Sequence, residues 1–426
     1  MNFKNYINTN TLNLDFNPNP SFIMHLDINS CFATIEQQVN PFLRGKPLVV
    51  AAYDSPGGCV IAPSIEAKKI GIRVGMRVKD AKEIFPDVFV LTPDPWKYRS
   101  VHLALRKILL SYTNNLVAKS IDEFVLNLEG YPCLREKSIK DVAKEIKLRI
   151  REEIGEWMSV SVGISTNRFL AKLASSFHKP DGLDEININN YQKVYSGLKL
   201  TDLSGIKSRN AFRLNMMNIF SVLDFYNSPL WKLKASFKSI NSYYWFLRLR
   251  GWEIDDFETS RKSYGNSYAL PKPFKDLNKL SPILMKLVEK MSFRLRKANL
   301  KTQGIHLALY YRDGSFWHQG VKTSRVLFDT RDIYKEMLRL LGLSYLGKPV
   351  REISVSCFNL VKAKSSQLEF FDDVLKKEKL TESIDEINNR WGEFVVYLAK
   401  MVNTKDYVPD RIAFGGVKEL EEFTLE

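Results

Sequence analysis

Two stretches decide how this chain folds: Phe22-Ile23-Met24-His25-Leu26-Asp27 and Ser120-Ile121-Asp122-Glu123-Phe124. The first is a short apolar run ending in a carboxylate, which suits a buried strand. The second reads as the tip between two strands within Leu116 to Leu128. Carboxylates placed together repel, and they stay ionised together only when cations neutralise them. Mg²⁺ takes carboxylate oxygens along with substrate phosphates. Two such ions about 3.5–4 Å apart can activate an attacking hydroxyl and stabilise a leaving pyrophosphate. Asp27, Asp122 and Glu123 are therefore candidate metal ligands of a palm-type nucleotidyl-transfer site. Taken alone, Ser-Ile-Asp-Glu-Phe is more simply a solvated turn; the elements around it reverse that preference.

Outward from these stretches, the pattern is mixed. Pro47 to Tyr53 and Cys59 to Ala62 read as a hairpin closed by Asp54-Ser55-Pro56-Gly57-Gly58. Helical periodicity covers Trp96 to Tyr112, Ser138 to Ile154 and Asn167 to Phe177, with Val160 to Ile164 as a strand between the last two. Such mixing indicates an α+β domain. From Tyr191 to Arg250 the chain reads as short helices, and Gly251 to Ser263 as a linker. A β-α-β-β-α-β order then runs to Leu360, a compact second α+β domain. Leu380 to Val402 is expected to be helical.

Composition narrows the function. The chain has 426 residues, 45% hydrophobic and 26% charged, which is ordinary globular material. No run approaches the roughly 18 apolar residues of a membrane span. Lys and Arg number 63 against 48 Asp and Glu, a net charge of +15. Between Arg261 and Lys364 there are 21 basic and 7 acidic residues, so about a quarter of the chain holds almost all of the excess. A segment of that kind binds polyanions such as nucleic acid with strong salt dependence. Cys31, Cys59, Cys133 and Cys357 have no zinc-ligand spacing and read as free thiols of a reducing compartment. The Asn-rich N-terminus lacks the apolar core of a secretory signal. Residues 1–21 are expected to be a flexible extension, and the protein to be cytoplasmic.

Five groups of residues carry a resemblance to a known family. They are His25-Leu26-Asp27-Ile28-Asn29-Ser30-Cys31-Phe32; Asn40-Pro41-Phe42-Leu43-Arg44-Gly45-Lys46-Pro47-Leu48-Val49-Val50; and Gly58-Cys59-Val60-Ile61-Ala62 with Glu66-Ala67-Lys68-Lys69-Ile70-Gly71-Ile72. The others are Ser120-Ile121-Asp122-Glu123-Phe124, and Ser161-Val162-Gly163-Ile164-Ser165 leading to Phe169-Leu170-Ala171-Lys172-Leu173-Ala174-Ser175 and Lys179-Pro180-Asp181-Gly182. In order and spacing the chain resembles the Y-family translesion DNA polymerases from about Phe22 to Leu360.

The resemblance implies a multidomain right-hand polymerase of α+β class, with a mixed or antiparallel palm sheet. Its palm would be residues 22–30 and 95–183, its small fingers 31–94, and its thumb, with a helix-hairpin-helix, 184–250. A linker at 251–262 and a β-α-β-β-α-β little finger at 263–362 would follow, then a tail at 363–426. It also implies two Mg²⁺ ions, with Mn²⁺ as a possible substitute, held by Asp27, Asp122, Glu123 and the carbonyl of Ile28. Phe32 would be the steric gate that excludes a ribose 2′-hydroxyl. Lys68 and Lys179 would contact the triphosphate, as compact point charges suited to phosphate. Lys172 is left between reaching the DNA and lying solvated. Ile65 stands where many members have Tyr, and Lys68 where many have Arg, so the triphosphate grip differs in detail.

Cys59, Ile61 and Gly75 would face the nascent base pair. Gly205, Ile206 and Lys207 would present a hairpin to a DNA phosphate, with Lys207 in place of the usual second glycine. Gln367, Leu368, Phe370 and Phe371 resemble a sliding-clamp-binding peptide. The implied partners are primer–template DNA, dNTPs and the clamp, for a monomeric enzyme that touches no membrane. No second acid cluster suggests a proofreading site. Two rival readings are a palm-fold nucleotidyl cyclase, which needs no basic C-terminal domain, and a catalytically silent DNA-binding scaffold, which needs no acid triad.

Overall fold

The computed structural model describes residues 14–257, 261–362 and 374–412. The chain divides into two compact units, Met1–Phe257 with Arg411–Glu426, and Glu258–Asp410. Strands of the first are β1 (Ile23–Ile28), β2 (Leu48–Ala51), β3 (Val60–Pro63), β4 (Phe89–Leu91), β5 (Leu116–Ala118), β6 (Glu123–Asn127), β7 (Val160–Ser165) and β8 (Leu183–Ile186). Those of the second are β9 (Ser263–Phe274), β10 (Leu300–Tyr311), β11 (Phe316–Leu327) and β12 (Val350–Lys362).

The main sheet of the first unit runs β5-β6-β1-β7-β8. Its first four strands pair antiparallel and β8 joins β7 parallel, so the sheet is mixed. Successive side chains of β1 point to opposite faces. Met24, Leu26 and Ile28 enter a core with Tyr98, Leu105 and Leu109 of the helix Pro95–Leu110 and Val142, Ile146 and Ile150 of the helix Ile139–Glu153. That second helix starts where Ser138 Oγ accepts the Asp141 N–H at 3.2 Å, a side-chain N-cap. Ile23 belongs to the other face, packed with Val125 and Ala171 beneath the helix Arg168–Ala174. This helix lies so close that a Cβ on Gly163 would sit 2.0 Å from the Ala171 carbonyl oxygen, which explains the glycine in Val162-Gly163-Ile164.

Asp27 and His25 share the face of Ile23, so strand alternation delivers the carboxylate to the side opposite the main core. The second sheet, β3-β2-β4, contains the expected hairpin and adds β4 in parallel, a strand too short for alternation to reveal. Short helices from Tyr191–Ser196 to Asn241–Arg248 complete the unit around Tyr195, Phe225, Trp245 and Phe246.

Residues 1–21 were expected to form a flexible extension, and their described part is packed instead. Phe16 is buried and stacks on Tyr191 at 4.4 Å, and Arg250 Nε donates to the Leu14 carbonyl at 2.7 Å. A single Phe among asparagines has no periodicity to announce it.

The second unit is a sheet in the order β11-β10-β12-β9, antiparallel throughout, with the helices Leu277–Lys297 and Thr330–Leu343 packed on it. Its extent corrects the boundary read at 362. The helix Val374–Trp391 follows and ends at Gly392, whose φ of +112° suits glycine, rather than spanning Leu380 to Val402. Arg296 holds Asp385 through two bonds of 2.7 Å, and Met401 and Val408 enter the core. The buried ammonium of Lys286 donates to the carbonyls of Thr404, Lys405 and Tyr407 at 2.8, 3.2 and 2.5 Å. Replacing Lys286 by Met strands those carbonyls at about 1–3 kcal/mol each for any that stay dry. Denaturant unfolding of Lys286→Met is therefore expected to show a loss of about 2 kcal/mol or more.

Candidate active site

Antiparallel register brings the acids together. Asp27 on β1 faces Glu123 on β6, and the Ile28 N–H donates to the Asp122 carbonyl at 2.9 Å. Asp122 is held at the tip by the Ser120 hydroxyl, and the Ile121 carbonyl is 2.8 Å from Nδ1 of His102. Burial pushes the carboxyls of Asp27 and Asp122 up; Asp122 and Glu123 add to the shift at Asp27, and Glu123 to that at Asp122. Lys179 Nζ, 2.7 Å from Asp27, and Lys172 Nζ, 2.6 Å from Glu123, answer part of the negative charge. Three converging carboxylates, with the ionisation of Asp27 and Asp122 opposed by burial, fit a hard divalent cation, which restores what desolvation opposes.

His25 was quoted only as a motif residue, with no role read for it. It is buried under Glu123, with Nε2 3.8 Å from the carboxylate, and its ligand atom lies within 4.8 Å of those of Asp27 and Glu123. Burial, with Lys172 and Lys179 nearby, pushes His25 down to about 3. The ring is neutral, and its approach to Glu123 is not an ion pair.

An open cleft of about 540 Å³ adjoins the acids. Asp27, Ile28, Phe32, Ile61, Lys68, Asp122 and Lys179 all line it. Lys68 is pushed down by burial and by Lys179, against the opposing pull of Asp27 and Asp122. Phe32 is buried and stacks on Tyr98 at 4.2 Å with the planes 7° apart. The Tyr98 hydroxyl donates to Glu36 at 2.9 Å, and Lys97 holds the same carboxylate at 2.9 Å.

Cys59 and Gly75 are not in the cleft lining, although Gly75 N–H donates to the Val60 carbonyl at 2.9 Å beside it. Asn29, Ser30 and Lys69 line it too but were quoted only as motif residues, and Val74 carried no sequence signal. Lys172 reaches Glu123, a partner that neither reading of it named. Away from the cleft, Gly205 has a φ of +96°, Ile206 is buried, and Lys207 precedes the helix Ser208–Asn215. A turn with a left-handed glycine thus links the 3₁₀ turn at Leu200–Asp202 to that helix. Gln367, Leu368, Phe370 and Phe371 lie outside the described residues.

A mixed sheet that gathers three carboxylates beside a lysine-lined cleft defines a nucleotidyltransferase of the palm type. Residues 26–176 match the impB/mucB/samB family and residues 261–370 match its C-terminal domain, together more than half of the chain. The chain is 29% identical to DNA polymerase IV of Pelotomaculum thermopropionicum over 88% of this chain and 94% of that one. It is also 29% identical to DNA polymerase IV 2 of Bacillus subtilis, over 92% and 98%. A Y-family DNA polymerase chimera superposes with a TM-score of 0.70 at 26% identity, over 80% of this chain and 99% of that chain. The insertion ternary complex of Dbh DNA polymerase gives a TM-score of 0.56 at 25% identity, over the same shares. The chain belongs to the impB/mucB/samB family and is a Y-family translesion DNA polymerase, a DNA-directed DNA polymerase. Both the cyclase and the silent-scaffold readings give way to this. No described helix is long and apolar enough to cross a membrane.

Proposed function

We propose that the chain extends a primer 3′-hydroxyl with dNTPs opposite damaged template bases, in the cytoplasm, by a two-metal mechanism and without proofreading. The observation that carries this is the convergence of Asp27, Asp122 and Glu123 beside the cleft that Phe32, Lys68 and Lys179 line. Asp27, Asp122, Glu123 and the Ile28 carbonyl would hold divalent cations, Mg²⁺ by the chemistry of an all-oxygen donor set. When bound, these ions supply activation of the hydroxyl and neutralisation of the departing pyrophosphate. The residues do the rest. Lys68 and Lys179 draw the triphosphate into the cleft and stabilise the charge that shifts toward pyrophosphate. The Phe32 ring fills the space a 2′-hydroxyl needs, and Ile61 offers a modest wall to the base pair. Cys59 and Gly75 border that wall.

Gly205, Ile206 and Lys207 present a hairpin to a DNA phosphate. The basic second unit grips DNA through phosphates without reading sequence. Primer extension on a DNA template tests the reading. The wild type is expected to extend with Mg²⁺, to stop with chelator and to leave an end-labelled primer undegraded without dNTPs. No extension with Mg²⁺ or Mn²⁺ overturns it. Gln367 to Phe371 is assigned to a sliding clamp. Deleting it is expected to abolish stimulation by the clamp, with extension in the clamp's absence as the reference measurement.

A further inference from the structure

Asn29 stands two residues beyond Asp27, in the turn between β1 and the helix Cys31–Val39, and it is buried. Its Nδ2 donates to Ser161 Oγ on β7 at 2.8 Å. Its Oδ1 accepts the Asp181 N–H at 2.8 Å and the Ser159 hydroxyl at 3.2 Å. Its own N–H donates to the Ser159 carbonyl at 3.0 Å. Ser161 Oγ in turn accepts the Gly182 N–H at 3.3 Å. One amide thus joins the β1 turn and β7 to the loop Lys179–Gly182, which brings Lys179 to 2.7 Å from Asp27.

The far side of the same loop is tied by the helix Ile139–Glu153. Lys147 Nζ donates to the Asp181 carbonyl at 2.6 Å, and Arg151 holds the Asp181 carboxylate at 2.5 Å. These ties act on the side chain and carbonyl of Asp181; the tie to its N–H, on the side facing the acids, is Asn29. The chemistry of the residue suits the place. An amide donates and accepts at once, whereas a carboxylate keeps the two acceptor bonds but adds a fourth negative charge beside carboxyls that burial already pushes up.

We propose that Asn29 is a positioning residue that fixes the loop Lys179–Gly182 and so sets where the Lys179 ammonium meets the triphosphate of an incoming nucleotide. This rests on the reading of Lys179 as a triphosphate contact. Lysine is a flexible point charge, so its useful position depends on how firmly its backbone is held. Displacement of a substrate-positioning group by about 1 Å can cost on the order of a hundredfold in rate.

The test is single-nucleotide incorporation by the full chain, with KM for dNTP and kcat measured separately. Asn29→Ala is expected to raise KM about tenfold while kcat changes less than about threefold, the pattern of lost uniform binding. Asn29→Asp keeps the acceptor for the Asp181 N–H but adds a negative charge, so it is expected to recover only part of that loss. In a Lys179→Ala background, Asn29→Ala is expected to add nothing further to KM, because both changes remove one interaction. If Asn29→Ala is recovered unfolded, Asn29→Ser replaces it. Its hydroxyl stays within the turn but is too short to reach Asp181, and the same rise is expected. An unchanged KM in the folded variant, or effects of Asn29 and Lys179 that simply multiply, overturns the proposal. If Lys179→Ala itself leaves KM unchanged, the triphosphate reading of Lys179 falls, and the proposal with it.

Discussion

Asp122→Ala is expected to lower primer extension by at least about 10³-fold, while affinity for primer–template DNA stays within a few-fold. A factor of 10³ is about 4 kcal/mol of transition-state stabilisation, which is the scale lost when one group facing developing charge is removed from a dry site. Asp122 is placed for such a loss. It lines the cleft, it sits where the Ile28 N–H ties β1 to the strand tip, and burial opposes its ionisation unless a cation answers it. The substitution should not unfold the chain. It removes a carboxyl that is costly to bury, and the deleted hydrogen bond is a local one from Ser120. DNA affinity should persist because the basic excess lies between Arg261 and Lys364, far along the chain from the acids. Asp122→Asn gives a stricter control, since it keeps the shape and loses the charge. Extension by either variant at the wild-type rate removes Asp122 from the site. A parallel collapse of DNA affinity would instead assign Asp122 to DNA binding.

The catalytic half of the molecule was legible because its signals are local. Asp27 ends an apolar run and Asp122-Glu123 sits at a strand tip, and antiparallel register then places Asp27 opposite Glu123. Lys68, Lys179 and Phe32 entered through the family resemblance, and all three line one cleft with Asp27 and Asp122. What escaped was set by long-range packing. Nothing in Leu14-Asp15-Phe16 announces that Phe16 will find Tyr191, 175 positions away, and nothing in the charges of Glu378 and Asp385, within the segment read as a tail, announces their pairing with Lys301 and Arg296. The short strands β4 and β8 are defined by parallel partners rather than by their own pattern. Asn29 was quoted only as a motif residue, because its role lies in the three side-chain bonds it makes across more than 100 positions. Cys59 shows the opposite failure. Its strand was read correctly, yet the residue falls just before β3 and bridges Arg77 outside the cleft lining.

Phe32→Ala is expected to raise the use of ribonucleotides relative to deoxyribonucleotides by about 10²-fold, because a hole replaces the ring below the sugar. A pocket contact that separates two substrates by a single small group is worth about 1–3 kcal/mol, or roughly 10–200-fold. The upper part of that range is expected here because this ring has little room to yield. Phe32 lies nearly flat against Tyr98, 7° from parallel at 4.2 Å. Tyr98 is itself buried and anchored through its hydroxyl to Glu36, one turn along the helix that carries Phe32, and Lys97 neutralises that carboxylate. Helix, ring and carboxylate therefore brace the Phe32 ring from behind, which is what the proposed gate requires.

Truncating a buried Phe also costs the fold about 3–5 kcal/mol, so the readout must be a ratio. Comparing kcat/KM for a ribonucleotide and its deoxy counterpart on one preparation cancels any loss of folded enzyme. Phe32→Leu, closer in volume, is expected to relax selection by a smaller factor in the same direction. Tyr98→Phe keeps the stacked ring and loses only the bond to Glu36. If the brace matters, that variant is expected to fall between wild type and Phe32→Leu. A ratio for Phe32→Ala equal to that of the wild type would show that the ring packs the core and selects nothing.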